Sequence, residues 1–177
     1  SKHYDFDGLE TEMEGKFREG HFDGVATVVE ELFRQVKPEN AYFGEKDFQQ
    51  LAIIKKLVKK LKLSIKIHGV PIFRSNDGLA LSSRNERLPS YQIKEAALLY
   101  ETLVKVKDWF RIITIPEINK RVEEIFKKAS GMELEYFTIA NEETLKETDF
   151  FYKDKAYRAF LVVNFNDVRL IDNMQLD

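Results

Sequence analysis

Apolar residues recur every three or four positions from Asp23 to Val36, at Val25, Val28, Val29, Leu32, Phe33 and Val36, which predicts a helix with one buried stripe. Pro38 ends it, because proline cannot extend the backbone ladder. Asn40 to Phe43 is short, aromatic and apolar and runs into Gly44, the pattern of a buried strand delivered to a turn. From Asp47 to Leu61 the helical period returns: Phe48, Leu51, Ile54, Leu57 or Val58, and Leu61 share one face, and Lys55, Lys56, Lys59 and Lys60 fall outside it. Ser64 to Val70 alternates up to Pro71 and reads as a second strand. Strand, helix and strand in so few residues predict a parallel pair with a right-handed crossover.

Upstream, Leu9, Met13 and Phe17 stand at helical spacing between Gly8, Gly15 and Gly20, which predicts a short helix and a turn. Downstream, Ile93 to Phe110 reads as one helix with Ala96, Ala97, Leu99, Tyr100 and Leu103 in its core. A further helix spans Pro116 to Ala129, with proline near its start and Gly131 past its end. Glu133 to Ala140, Tyr157 to Phe165 and Val168 to Ile171 are rich in β-branched and aromatic residues, and Asn166-Asp167 joins the last two as a tight hairpin. The pattern changes near Pro89 from a strand-helix-strand crossover to helices followed by strands. Two domains are expected, 1–87 and 88–177: an α/β domain with a parallel sheet, then a small α+β domain with antiparallel strands.

Composition narrows the function. Twenty-eight basic against 30 acidic residues give a net charge of −2, so no overall pull toward nucleic acid or membrane is expected. The lysines between Lys55 and Lys66 lack interleaved aromatics and read as a solvated face. The chain has no cysteine, which excludes disulfides, thiolate metal sites and a cysteine nucleophile. No apolar run approaches a membrane span and Ser1 to Asp5 is no signal peptide, so a cytoplasmic location is expected. A chain beginning at Ser1 is expected to be processed or part of something longer.

The candidate chemistry sits in two loops. Lys46 stands where the helix after the first strand begins. A helix N-terminus presents backbone N–H groups and positive dipole, and a lysine there adds a point charge suited to phosphate. A surface lysine between Glu45 and Asp47 is the plain alternative. Asp47 reads as a dipole partner or cap. Gln50, four residues after Lys46, shares its helix face and could bond a hydroxyl or carboxylate. Ser82, Ser83 and Arg84 offer hydroxyls and a guanidinium to phosphates, although Ser-Ser-Arg-Asn is also ordinary loop or cap chemistry. Asp77-Gly78 is turn chemistry. His21 follows a glycine and is a candidate ligand contact or a structural histidine, and His68, inside the second strand, reads as structural. No metal-ligand cluster, Ser-His-Asp spacing or Gly-x-Gly-x-x-Gly is present.

Three stretches together carry a family resemblance: Gly20-His21-Phe22-Asp23-Gly24-Val25 with Thr27-Val28-Val29; Tyr42-Phe43-Gly44-Glu45-Lys46-Asp47-Phe48-Gln49-Gln50-Leu51; and Asp77-Gly78-Leu79-Ala80-Leu81-Ser82-Ser83-Arg84-Asn85. They closely resemble the pantoate–β-alanine ligases, or pantothenate synthetases, and the likeness spans residues 4–177. The resemblance implies an incomplete Rossmann-like nucleotidyl-transferase domain followed by a carboxy-terminal lid domain, a homodimer, and kinship with class I aminoacyl-tRNA synthetases. It implies that ATP activates pantoate as an adenylate and that β-alanine then displaces AMP, with Mg²⁺ assisting. Gly44, Glu45, Lys46, Asp47, Phe73, Leu81, Ser82, Ser83 and Arg84 then look like ATP contacts, with Phe73 near the adenine. Gln50 looks like the pantoate contact, and Lys46, Ser82, Ser83, Arg84 and His21 look like the catalytic set. No residue is assigned to metal.

The sequence departs from the family in one respect. The family's His-x-Gly-His segment cannot be formed by His3, His21 and His68. The chain is therefore expected to be the carboxy-terminal portion of such an enzyme and inactive alone. The alternatives are a non-catalytic dimerisation or binding module, and another adenylate-forming transferase.

Overall fold

The computed structural model describes residues 2–177. It divides into two compact units, Ser1–Pro71 and Ile72–Asp177.

The first unit is built on two parallel strands, β1 (Asn40–Gly44) and β2 (Lys66–Val70), with Asn40 opposite Lys66 and Gly44 opposite Val70. Three helices accompany them: the single turn α1 (Glu14–Phe17), α2 (His21–Val36) and α3 (Phe48–Lys60). Ile54 and Val58 of α3 meet Phe33 of α2 in a small core, onto which Ala41, Phe43, Ile65 and Ile67 pack. Removing such an aliphatic side chain from water contributes about 1.5–3 kcal/mol. Among the described residues no helix is long and apolar enough to cross a membrane.

Two expectations are corrected in this unit. Val28, Leu32 and Val36 of the predicted stripe are exposed, whereas Phe22, Ala26, Glu30 and Phe33 are buried. The inward face is rotated because Glu30 belongs to it. Tyr4 donates to that carboxylate at 2.5 Å, Arg34 at 2.6 Å and Lys2 at 3.2 Å. Those donors, Tyr4 first, hold its carboxyl at about 2. A charged residue buried with its partners is invisible to apolar periodicity. The second correction is β1 itself, which is only half buried: Ala41 and Phe43 turn inward while Asn40, Tyr42 and Gly44 face out. Phe17 of the predicted first helix is likewise exposed.

The second unit is a three-stranded antiparallel sheet in the order β3 (Met132–Asn141), β4 (Tyr157–Phe165) and β5 (Val168–Gln175). The β4–β5 hairpin turns at Asn166 and Asp167, both at positive φ (44° and 66°), as a two-residue primed turn requires. Helices α4 (Ser90–Glu95), α5 (Leu98–Trp109) and α6 (Ile115–Lys128) accompany the sheet. Leu99, Leu103 and Val106 of α5 and Ile118 and Val122 of α6 share one core with Leu161 and Val163. Thr114 caps α6 by accepting from the Glu117 N–H.

The helix expected over Ile93–Phe110 is therefore two. At the join Ala97 donates to Lys94 O and Leu99 to Ala96 O, tight three-residue bonds that break the α-ladder while Ala96 and Ala97 stay buried. The break between units also falls earlier than 87/88. The segment after Pro71 packs with the later part of the chain: Leu79 and Leu88 enter the second core, and Arg74 pairs with buried Asp172. That pair explains why β5 continues past the expected Ile171, since Asp172 and Asn173 interrupt the apolar pattern without ending the strand.

Candidate functional site

Parallel strands place ligands at their carboxyl ends, where each strand hands the chain to a helix. In the first unit β1 ends at Gly44, extended at φ −68°, and a 3-10 turn, Glu45–Asp47, leads into α3. The predicted helix start at Asp47 is thus one residue early. Lys46 lies in the 3-10 turn, so the α-helical spacing that aligned it with Gln50 does not apply. A Cβ on Gly44 would meet nothing within 4 Å, so the space above it is open. Glu45 folds back instead: its Oε1 stands 3.0 Å from where a Cβ on Gly69 would be. Lys46 is half-buried and Asp47 exposed. Asp47 makes no side-chain capping bond, so of the two roles expected for it only that of dipole partner is left.

Its neighbours divide the work. Gln49 is buried and holds the amino-terminal segment: its Nε2 donates to Leu9 O and Glu12 O, both at 2.8 Å, and its Oε1 accepts from the Glu14 N–H. Gln50, the predicted pantoate contact, is half-buried in the first turn of α3. His21 opens α2 after Gly20, whose φ of 71° suits glycine. Its ring packs on Phe22 at 4.9 Å and its Nε2 lies 3.2 Å from Arg18. Burial, then the Arg18 charge, depresses its pKa below the ordinary 6.5, while Glu14 and Asp47 pull it upward. The pull of Asp47 puts His21 within electrostatic reach of the β1–α3 turn. The depression favours the neutral imidazole.

The second unit carries the other loop. Phe73 is 78% exposed and Leu81 is 40% exposed, and the Leu81 N–H donates to Phe73 O at 2.9 Å, so the two flank the open end of a short hairpin. Its turn is at Gly78, φ 93°, where a Cβ would lie 2.1 Å from the Tyr100 ring. Arg74 fastens it: the guanidinium lies 4.4 Å over Tyr100, donates to Asp172 at 2.6 and 2.9 Å, and reaches Gly78 O at 3.0 Å. Beyond the hairpin, the Ser82 N–H donates to Asn85 Oδ1 and Asn85 N–H to Ser82 O at 3.0 Å, so Ser83–Arg87 begins as a capped 3-10 helix. The cap is carried by Asn85, while Ser83 and Arg84 are exposed and Arg84 pairs with no acidic residue among those described. Hydroxyl, hydroxyl and guanidinium thus stand on a loop fixed from below.

The structure gathers the predicted residues into two clusters, one per unit: His21, Gly44–Asp47 and Gln50 in the first, Phe73 and Leu81–Arg84 in the second. Gln49, Arg74, Asn85 and Asp172 support them and were not anticipated. Asp172 lies past the predicted end of the last strand at Ile171, so no apolar or turn signal marked its pairing with Arg74. Among the described residues no three His, Cys, Asp or Glu side chains form a metal site.

Fold and loops define an α/β protein with an open turn at the carboxyl end of the first of its two parallel strands. A sequence model of the Pantoate-beta-alanine ligase family matches residues 2–175. The chain belongs to that family. The pantothenate synthetase of Flavobacterium psychrophilum is 51% identical over 99% of this chain and 62% of its own length, and that of Christiangramia forsetii is 49% identical over 100% and 62%. Among solved structures, the Thermus thermophilus pantothenate synthetase superimposes with a TM-score of 0.89 at 36% identity, covering 99% of this chain and 63% of that one. The Francisella tularensis ligase, solved with β-γ ATP and β-alanine, gives 0.69 at 34% identity, covering 95% of this chain and 55% of that one. The chain therefore spans about three-fifths of the length of these relatives.

Proposed function

We propose that this chain carries nucleotide- and pantoate-binding loops of a pantoate–β-alanine ligase. In the reaction, a pantoate carboxylate oxygen attacks the α-phosphorus of ATP and pyrophosphate leaves. The β-alanine amine then attacks the acyl carbon of pantoyl adenylate and AMP leaves. Both steps need alignment and positive charge rather than a covalent side chain. Lys46 supplies a point charge beside the open space at Gly44, Ser82 and Ser83 offer hydroxyls, and Arg84 offers a bidentate fork. Neutral His21 orients a bound oxygen by hydrogen bonding, and Gln50 bonds pantoate. Phe73 stacks on adenine.

The described residues do not themselves build a Mg²⁺ site. The 177-residue chain alone is proposed to bind without turnover, because no His-x-Gly-His segment is present in it. The exposed Val28, Leu32 and Val36 of α2 support a homodimer, and the cytoplasm is its proposed location. The family match over residues 2–175 is the single observation that carries the reading.

Its test is an NMR titration of the chain with pantoate in the presence of ATP. Saturable shifts at the Gln50 and His21 amides, lost in Gln50→Ala and absent with lactate, are expected. Equal shifts with lactate would point to another acid substrate. Appreciable pantothenate formed by the pure chain would refute the claim of inactivity.

A further inference from the structure

We propose that the groove between α6 and the open edge of β3 binds an extended basic peptide segment, which adds to β3 as a further strand. Strand β3 is an edge strand of its sheet, with β4 as its one neighbouring strand among the described residues. Its carboxyl end is already covered by the returning chain, since Thr148 N–H donates to Ile139 O at 3.2 Å and Asn141 N–H to Lys146 O at 3.1 Å. Phe137 has the parity of Ile139 and Asn141, so its N–H and C=O face the same outer edge, and among the described residues no backbone group pairs with them there. An unpaired row of this kind is a template for another strand.

The groove beside that edge has a volume of about 680 Å³, and Phe126 and Leu134 are apolar parts of its lining. Asn119 also lines the groove, and its Oδ1 is buried beside it without a hydrogen-bond partner. Four glutamates, Glu123, Glu133, Glu135 and Glu147, line the groove against one cation, Lys127. Arg169 holds Glu135, and Lys127 lies 3.7 Å from Glu123, which leaves Glu133 and Glu147 to meet a ligand. A second copy of the same edge would set glutamates against glutamates, which disfavours self-pairing. Charge and an open ladder together therefore select a basic, extended partner different from this chain.

The test uses the whole 15N-labelled chain and a capped hexapeptide alternating lysine and valine, with a control peptide carrying proline at the central position. Saturable shifts centred on Phe137, with exchange of its amide slowed at least about tenfold, are expected with the first peptide only. Glu133→Lys with Glu147→Lys, both exposed positions, should weaken binding at least about tenfold with unchanged thermal unfolding. The proposal is overturned by the absence of shifts at about 1 mM peptide, or by equal binding of the proline control, which would mean charge attraction alone. A free chain that sediments as a dimer with the Phe137 amide already protected would assign the edge to a second copy and overturn it as well.

Discussion

His21 and His3 carry the same side chain and are driven in opposite directions by their surroundings. Asp23 accepts from His3 at 2.9 Å and raises its pKa above 6.5, while burial and Arg18 lower that of His21. The stabilising contribution of His3 is therefore present below pH 6.5 and lost as pH rises through its raised value. That of His21 is present above 6.5 and lost as pH falls through its depressed value. An NMR titration of the ring protons should give one midpoint on each side of 6.5, with Asp23→Asn returning His3 toward it. A His21 midpoint above 6.5 would remove the neutral donor assigned to the ligand. Glycines make a second contrast. Gly44→Ala should change stability by less than about 0.5 kcal/mol, since its φ is ordinary and its surroundings open. On the proposed assignment of this turn to ATP, it should nonetheless weaken ATP binding by crowding the phosphates. Gly78→Ala, strained in φ and driven into Tyr100, should cost about 1–3 kcal/mol in denaturant unfolding. Equal stability of the two variants would contradict the assignment.

At the scale of elements, α3, α6 and the Asn166-Asp167 hairpin were legible because apolar period, proline and turn residues agree there. The parallel pairing of β1 and β2 was legible from its crossover spacing. The inward face of α2 was not, because Glu30 is buried by pairing rather than by apolarity. The join between α4 and α5 was missed for a different reason: Ala96 and Ala97 satisfy a helical pattern whether or not the ladder is continuous. The candidate residues divide by the kind of signal that marks them. Lys46, Gln50 and Ser82–Arg84 were named from loop chemistry, while Arg74 and Asp172, 98 residues apart, pair only through the fold. That ion pair is the anchor of the hairpin, and Arg74→Ala should lower the unfolding free energy of the second unit by about 3 kcal/mol because Asp172 is left buried. A loss below about 1 kcal/mol in urea unfolding would mean that Tyr100 and Gly78 hold the hairpin unaided.

At the scale of the whole molecule, each compact unit presents one of the two loops proposed to bind ATP. The chain covers 62% of the length of its relatives, so binding and turnover are separable claims. Binding is the central one. Calorimetric titration of the 177-residue chain with a non-hydrolysable ATP analogue tests it most directly, comparing the parent sequence with Lys46→Ala and Arg84→Ala. Charge-assisted hydrogen bonds contribute about 1.5–3 kcal/mol each, so either substitution should weaken the analogue by roughly 10- to 100-fold while leaving the fold intact. An affinity that neither substitution moves, or no saturable binding to the parent chain, would contradict the assignment of these two loops to ATP.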